Sequence, residues 1–533
     1  MTTARTKKKL GPVAFVAAGP GDPELMTLRG ADLLRTADTV IADSDALGLA
    51  EGFAGPQTRV VATVDSKGLP LDHAGRAKLI VEAAREGHRT VRLLSGDPVL
   101  DGSLSVEAAA LHKAKVPFEI APGVSLVTAV PAYAGFGLTG RRSREVHIVS
   151  VSDPDIDWVP LADDRITIVV VDGADAAPTI ARDLISAGRP PATPIAITRG
   201  GTTVEQRSLV STLEEVPAAA KAAKQAGPGI VVIGEVVTQR ERMSWFEVKP
   251  LFGWRVLVPR TQDRSDDLLE RLVRLGSIPV EVATISVEPP RTPQQMERAV
   301  KGLEEGRYSW IGFTSVNAVR AVREKVAEYG LDARVFSGLR VAAVGHDTAE
   351  ALVAFGVNPD LVPEGEQTTQ SLLDFWPAYD STLNPINRVF LPRADIATET
   401  LAAGLTELGW EVEDITAYRT VRAAPPPAET REAIKSGGFD AVLFTSSSTV
   451  RNLVGIAGKP HSSTVVACIG PQTAKTAEEH GLRVDVLADE PTHAALAEAL
   501  AQHGDELREA AAEAGEASWR PSRRRAAARR KAT

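Results

Sequence analysis

The sequence predicts an α/β protein of two unlike halves, the second built by duplicating one α/β unit. Three observations predict it. First, strand-like apolar runs alternate with helical patterns through both halves. Second, three segments of the second half recur in the same order: RVLVPRTQDRSDDLLERLVRLG from Arg255 in RVFLPRADIATETLAAGLTELG from Arg388, FTSVNAVRAV from Phe313 in FTSSSTVRNL from Phe444, and VGHDTAEALVAFG from Val344 in IGPQTAKTAEEHG from Ile469. Offsets of 133, 131 and 125 residues are too regular for chance, and a duplicated unit usually makes two lobes facing a cleft. Third, MSWFEVKPLFGWRVLVPR (residues 243–260) sets tryptophans, a proline and a glycine between the halves and reads as a short connection over 246–253.

At about 100–200 residues per domain, 533 residues make roughly three lobes, and a net charge of −9 gives an acidic body. The single cysteine, Cys468, excludes an intrachain disulfide and a C-x-x-C site; in VVACIG it reads as a buried strand residue in a reducing compartment. No apolar run approaches the ~20 residues of a membrane span, and residues 1–9 (MTTARTKKK) lack a signal-peptide core, so a cytoplasmic protein without a membrane partner is expected. The nine histidines form no H-x-H or H-E-x-x-H, and no G-x-G-x-x-G dinucleotide unit, leading from a strand into a helix, is present; neither a metal nor a dinucleotide is expected.

The first half opens with the strand VAFVAAG, breaks at the Gly19-Pro20-Gly21-Asp22 turn and enters an amphipathic helix. Such a turn brings backbone close to a ligand, although a tight strand-to-helix turn explains one copy equally well. RTVRLLSGDPVLDG from Arg89 is a second strand running into a Gly-Asp-Pro turn. FEIAPGVSLVTAVPAYAGFGLTGR from Phe118, PIAITRGGTTVEQRSLVSTLEEV from Pro194 and GPGIVVIGEVV from Gly227 complete the series.

In this order the motifs GPGDP, GDP, PGV…PAYAG and GT…QR make residues 10–245 similar to the tetrapyrrole methylase family, in particular uroporphyrinogen-III C-methyltransferase. The resemblance implies two α/β lobes with S-adenosylmethionine in the cleft, and a homodimer. Carried over position by position, it puts Pro20, Gly96, Asp97, Leu100, Ser125, Leu126 and Gly201 against the donor and makes Asp43 the proton acceptor. The chain departs from the family at Ser95, where the family has glycine, at Val64, aligned with its lysine, at Asp172, aligned with a methionine against the adenine, and at Gly140, aligned with a histidine. Two expectations therefore stand: a working methyltransferase, or a methylase half kept as a scaffold.

In the second half, strands are expected at 256–258, 280–285, 389–391 and 412–418, and helices at 266–275 and 398–408. Strands such as WIGF and AVLF end in Thr-Ser and enter helices, whose first-turn N–H groups and dipole favour an anion. Four such turns, Thr314-Ser315, Gly345 to Thr348, Thr445-Ser446-Ser447 and Gly470 to Thr473, suit a polyanion; each alone could be only a cap.

The ordered set VLVPR, FTS-x-NAVR, AAVG-x-x-T, ETLAAGLTELGWEVEDITAYRT, FTSSSTVR and CIGP-x-T resembles uroporphyrinogen-III synthase. It implies two flavodoxin-like lobes, one from 254–288 plus 421–504 and the other from 289–420, joined by extended crossings near 286–288 and 420–422. The implied substrate is hydroxymethylbilane, closed without a cofactor to uroporphyrinogen III by loss of water and inversion of the last ring. Tyr418 falls on the family's important tyrosine, and Thr348, Ser446 and Thr473 on positions at the cleft. Thr314, Ser315, Thr445, Ser447 and Arg260 join them as expected substrate contacts, while Arg393, which ends the equivalent strand, is expected at the surface.

Residues 505–533 shift to Ala, Glu and Arg and read as a disordered, solubilising tail, like the basic residues 1–9. A ligand sensor whose tail touches DNA is the remoter alternative, but no helix-turn-helix fits in that tail, and no nucleic-acid partner is expected.

Overall fold

The computed structural model describes residues 10–96, 98–100, 102–151, 156–223, 226–260, 267–364, 367–397, 399–516 and 518–523. Asp97, residues 1–9 and residues 524–533 lie outside them. The chain divides into two compact units, Met1–Gly253 and Trp254–Thr533.

The first unit holds two sheets. Strands β1 (Val13–Ala17), β2 (Thr39–Ala42), β3 (Arg59–Ala62), β4 (Thr90–Leu94) and β5 (Phe118–Ala121) form a parallel sheet in the order β3-β2-β4-β1-β5. Every residue of β1, β2 and β4 is buried, because crossover helices cover both faces of a parallel sheet. One of those buried residues is Arg92. Strands β6 (Glu145–Ser150), β7 (Ile166–Val171), β8 (Pro194–Arg199), β9 (Arg207–Thr212) and β10 (Gly229–Ile233) form a mixed sheet ordered β6-β7-β10-β8-β9. The stretch expected as a connection is docked on this unit: Trp245 and Phe246 pack edge-on against Tyr133, and Phe252 against Phe246.

The second unit shows the duplication in space. Strands β11 (Arg255–Arg260), β12 (Ile278–Ala283), β18 (Ala441–Phe444), β19 (Val465–Cys468) and β20 (Val486–Leu487) form one parallel sheet, β12-β11-β18-β19-β20. The other is β13-β17-β16-β14-β15, from β13 (Ile285–Glu288), β14 (Trp310–Phe313), β15 (Arg340–Ala343), β16 (Arg388–Ala394) and β17 (Glu411–Arg422). Ion pairs repeat with the strands, since Arg260 to Glu281 recurs as Arg393 to Asp414. Backbone anchors repeat too: Val341 N–H bonds Asp360 at 2.7 Å and Val466 N–H bonds Asp485 at 2.9 Å.

The two expected crossings become one antiparallel ribbon. β17 runs 12 residues, parallel to β16 at first, then antiparallel to β13, pairing Ser286 with Val421 and Val287 with Thr420. The single strand expected over 280–285 is broken in two at Thr284, whose N–H and hydroxyl both turn back to the Arg260 carbonyl. The N–H makes the last parallel bond to β11, while the Thr284 carbonyl accepts from Ala423 N–H at 3.2 Å, so the chain passes from one sheet to the other at this residue.

The tail needs correcting. The helix His493–Glu513 continues nine residues past the expected boundary at 504, because its buried stripe of Leu496, Leu500, Gly504 and Ala511 continues. Further on, Arg520 Nη2 reaches Asp440 Oδ2 at 3.1 Å and Ser522 N–H reaches Oδ1 at 2.9 Å. Asp440, 0% exposed, also accepts Arg255 N–H at 2.9 Å. A buried carboxylate needs a counter-charge, and composition alone hides that the tail supplies it. Asp440→Ala should lower stability by about 2–3 kcal/mol in urea unfolding; this is less than for a rigid buried pair, because a terminal segment can swing into water.

Candidate active sites

In the first unit the strand-end turns enclose a cavity of about 1060 Å³. Gly19 (φ +82°) bridges Gly96 (φ +62°), joining the turns after β1 and β4. Gly21 (φ +139°) leaves no room for a side chain: a Cβ there would stand 2.8 Å from the Thr203 methyl and 3.0 Å from the Gly201 carbonyl. Gly201 is tighter still, with Val130 at 2.4 Å. Asp22 fastens the turn, its N–H to Thr202 Oγ1 at 3.0 Å and its carboxylate accepting from Tyr133 at 2.8 Å.

Pro20, Gly96, Leu100, Leu126 and Gly201, expected from sequence, all line this cavity. Ser125 stands beside it as the N-cap of the helix Leu126–Ala134. Among the departures, Ser95 and Asp172 line the wall, and Ser95 gives its hydroxyl to Asp45. Asp172 has φ +55°, a strained backbone that Asp tolerates better than most residues. Val64 instead bridges Pro70. Sequence reasoning missed the helix Leu47–Phe53, whose Gly48, Leu49, Gly52 and Phe53 form a wall with open space over both glycines; the i, i+4 spacing of the glycines in GLAEG was the available signal.

Asp43 sits behind the wall. Its Oδ1 accepts from Arg92 at 2.7 Å and from Thr63 at 3.0 Å, and its Oδ2 from Ser95 N–H at 3.1 Å. Burial alone would raise its pKa, but the Arg92 charge and these hydrogen bonds together hold it below the usual aspartate value. It is an ionised acceptor.

In the second unit the expected turns are helix N-termini at the carboxyl ends of parallel strands. Ser315 caps Val316–Glu328 after β14, Gly345 caps His346–Phe355 after β15, Ser446 caps Ser447–Ala457 after β18, and Gly470 caps Pro471–Glu479 after β19. Thr314 and Thr445 are half-buried at their strand ends. Two expectations change. Thr348 and Thr473, 4% and 5% exposed, pack beneath the first turn, so backbone N–H groups alone are presented there. Ser447 donates to the Gln472 carbonyl and accepts from Thr476, tying two helices together.

Tyr418, 7% exposed on β17, places its hydroxyl 3.0 Å from Ser315 Oγ, which also accepts Ala318 N–H at 3.2 Å. The same position in the other copy of the repeat, 133 residues earlier, is Ile285, so chemistry by this side chain belongs to one lobe. Arg260 pairs with Glu281 at 2.6 Å, a half-exposed ion pair worth little and readily exchanged. Among the described residues no three His, Cys, Asp or Glu side chains group as a metal site, and no helix is long and apolar enough to cross a membrane.

Comparison with known proteins gives two family matches: "Tetrapyrrole (Corrin/Porphyrin) Methylases" over residues 12–217 and "Uroporphyrinogen-III synthase HemD" over residues 266–498. The "Porphyrin biosynthesis protein HemD" of Ruminiclostridium josui is 30% identical across 93% of this chain and 98% of its own length. The "Uroporphyrinogen-III C-methyltransferase" of Bacillus subtilis is 32% identical across 63% of this chain and 70% of its own length. A solved uroporphyrin-III C-methyl transferase of Thermus thermophilus, complexed with S-adenyl homocysteine, is 30% identical over 43% of this chain and 93% of its own, with a TM-score of 0.36.

A double-mutant cycle tests the hydroxyl pair. Ser315→Ala, losing cap and partner, should cost about 1–2 kcal/mol and Tyr418→Phe about 1 kcal/mol, with a coupling of roughly 0.5–1 kcal/mol in chemical denaturation. Strict additivity would mean that the two hydroxyls do not bond.

Proposed function

We infer the function from the two families to which this chain belongs, the tetrapyrrole methylases over its first half and the uroporphyrinogen-III synthases over its second. The chain is a two-enzyme protein of porphyrin biosynthesis: the synthase half closes hydroxymethylbilane to uroporphyrinogen III, and the methylase half methylates that product toward precorrin-2. What carries this reading is a single relative of porphyrin biosynthesis aligned along 93% of the chain, both halves included. We place both reactions in the cytoplasm.

In the synthase half the substrate brings eight carboxylates. The first-turn N–H groups capped by Ser315, Gly345, Ser446 and Gly470 offer anion sites, and Thr314, Thr445 and Arg260 add donors. Tyr418 acts on the leaving hydroxyl. Its hydroxyl lies 3.0 Å from Ser315 Oγ, which also accepts Ala318 N–H, so the phenol is held in place on the capped helix start to meet the departing oxygen. Water leaves, the cation attacks the substituted carbon of the last ring, and positioning does the rest.

The cavity of the first unit fits S-adenosylmethionine. Its volume suits a ligand of that size, and its turns at Gly21 and Gly201 are packed so closely that backbone itself forms the wall. Pro20, Gly96, Leu100, Leu126 and Gly201 would hold the donor, which when bound supplies an electrophilic methyl group. Asp43 then accepts the proton that the methylated ring loses. An acidic residue in the wall, Asp172, with its backbone at φ +55°, favours the second reading, a methylase half retained as a scaffold.

Incubating the protein with hydroxymethylbilane, with and without S-adenosylmethionine, separates the readings. Isomer III gaining two methyl groups only with the donor is expected; isomer III without methyl gain would select the scaffold, and isomer I alone would end the synthase assignment. Tyr418→Phe should lower kcat for ring closure by about 100-fold. Gly52→Leu, filling open cavity space, should weaken donor binding by about tenfold or more in calorimetry, leaving ring closure untouched.

A further inference from the structure

The guanidinium of Arg92 lies on β4 beneath the cavity wall, and all five of its N–H donors are used. Nε reaches Glu107 Oε2 at 2.8 Å; Nη2 reaches Glu107 Oε1 at 3.3 Å and Asp43 Oδ1 at 2.7 Å; Nη1 reaches the carbonyls of Leu93 at 2.7 Å and Ile41 at 3.5 Å. The Arg92 and Glu107 side chains are 0% exposed. A buried ion pair is a poor way to stabilise a sheet, since apolar residues of the same size do as well or better. Its effect on the third member, Asp43, is more specific. Arg92 and Thr63 fill Oδ1, while among the described residues Oδ2 holds only the Ser95 N–H, and the side chain keeps 19% exposure.

We propose that Arg92 and Glu107 are positioning residues for methyl transfer: Arg92 fixes Asp43 with Oδ2 turned outward as the proton-accepting atom, and Glu107 offsets the guanidinium charge. This rests on the reading of Asp43 as the proton acceptor. In that step the methylated, cationic ring loses a C–H proton to Oδ2, the bonding pair returns to the ring and neutralises it, and the carboxyl passes the proton to water. The groups around Asp43 are Arg92 and Ser95 from β4 and its turn, Thr63 after β3, Glu107 behind Arg92 on Ser103–Lys113, and Asp45, held by the Ser95 hydroxyl.

The two partners push Asp43 in opposite directions. Arg92→Gln removes a cation, so the carboxyl should keep its proton to higher pH; Glu107→Gln leaves the cation uncompensated, so the proton should leave at lower pH. Carbon-13 NMR titration of the ligand-free protein reads this directly, with the Asp43 carboxyl signal assigned by its loss in Asp43→Asn. Opposite shifts are expected, each of at least threefold in proton affinity. The acidic limb of kcat for methyl transfer should rise in Arg92→Gln, and kcat should fall several-fold in Glu107→Gln with unchanged donor affinity. Should Arg92→Gln fail to fold, the near-isosteric Glu107→Gln carries the test alone. Asp43→Asn crippled while the titration midpoint stays unmoved in the charge variants overturns the positioning role only. Asp43→Asn at full rate overturns the Asp43 reading and the proposal with it.

Discussion

Parallel strands impose the constraint on which the rest of this structure depends. Each must be followed by a crossover, usually helical, so the carboxyl end of a strand becomes the start of a helix, where unpaired N–H groups and the dipole accumulate. In the second unit the ends of β14, β15, β18 and β19 all enter helices capped by Ser or Gly. In the first, β1 and β4 end in glycine turns that meet at Gly19 and Gly96. One half offers hydrogen-bond donors of a kind that suits a polyanion, the other a cavity, and both are built largely from backbone.

Duplication supplies the synthase scaffold, and the chemistry we propose lies where the duplication fails. Arg260 with Glu281 and Arg393 with Asp414 keep both copies alike, as do the Asp360 and Asp485 anchors. Tyr418 has Ile285 as its counterpart, and it sits where β17 leaves one sheet to pair with β13. A side chain on the joining ribbon is held by both the sheet and the crossing, which suits a group that must meet a folded substrate.

Buried cations recur as fasteners. Arg189 donates to the carbonyls of Leu161, Asp163 and Ile166, at a burial cost that pulls its pKa down. Arg520 closes the chain end on Asp440, and Arg92 joins two carboxylates under the cavity. Arginine suits all three, because five donors in a fixed fork satisfy several acceptors at once. Of these, only the Arg92 network reaches a residue at the ligand wall.

The sequence by itself determined the two halves, the order of elements in the duplicated one, both crossings and the turns at Pro20, Gly96, Gly201, Ser315 and Ser446, because period, capping and glycine placement act over a few residues. Leu47–Phe53 was not legible because two glycines in seven residues leave little helix propensity, and their open face has meaning only against the cavity. Only the tertiary structure decided that Thr348 and Thr473 turn inward, that Ser447 is spent between helices, that the tail docks on Asp440, and that Asp43 answers to Arg92, 49 residues away. Burial and charge pairing depend on distance in space, which spacing along a chain does not encode.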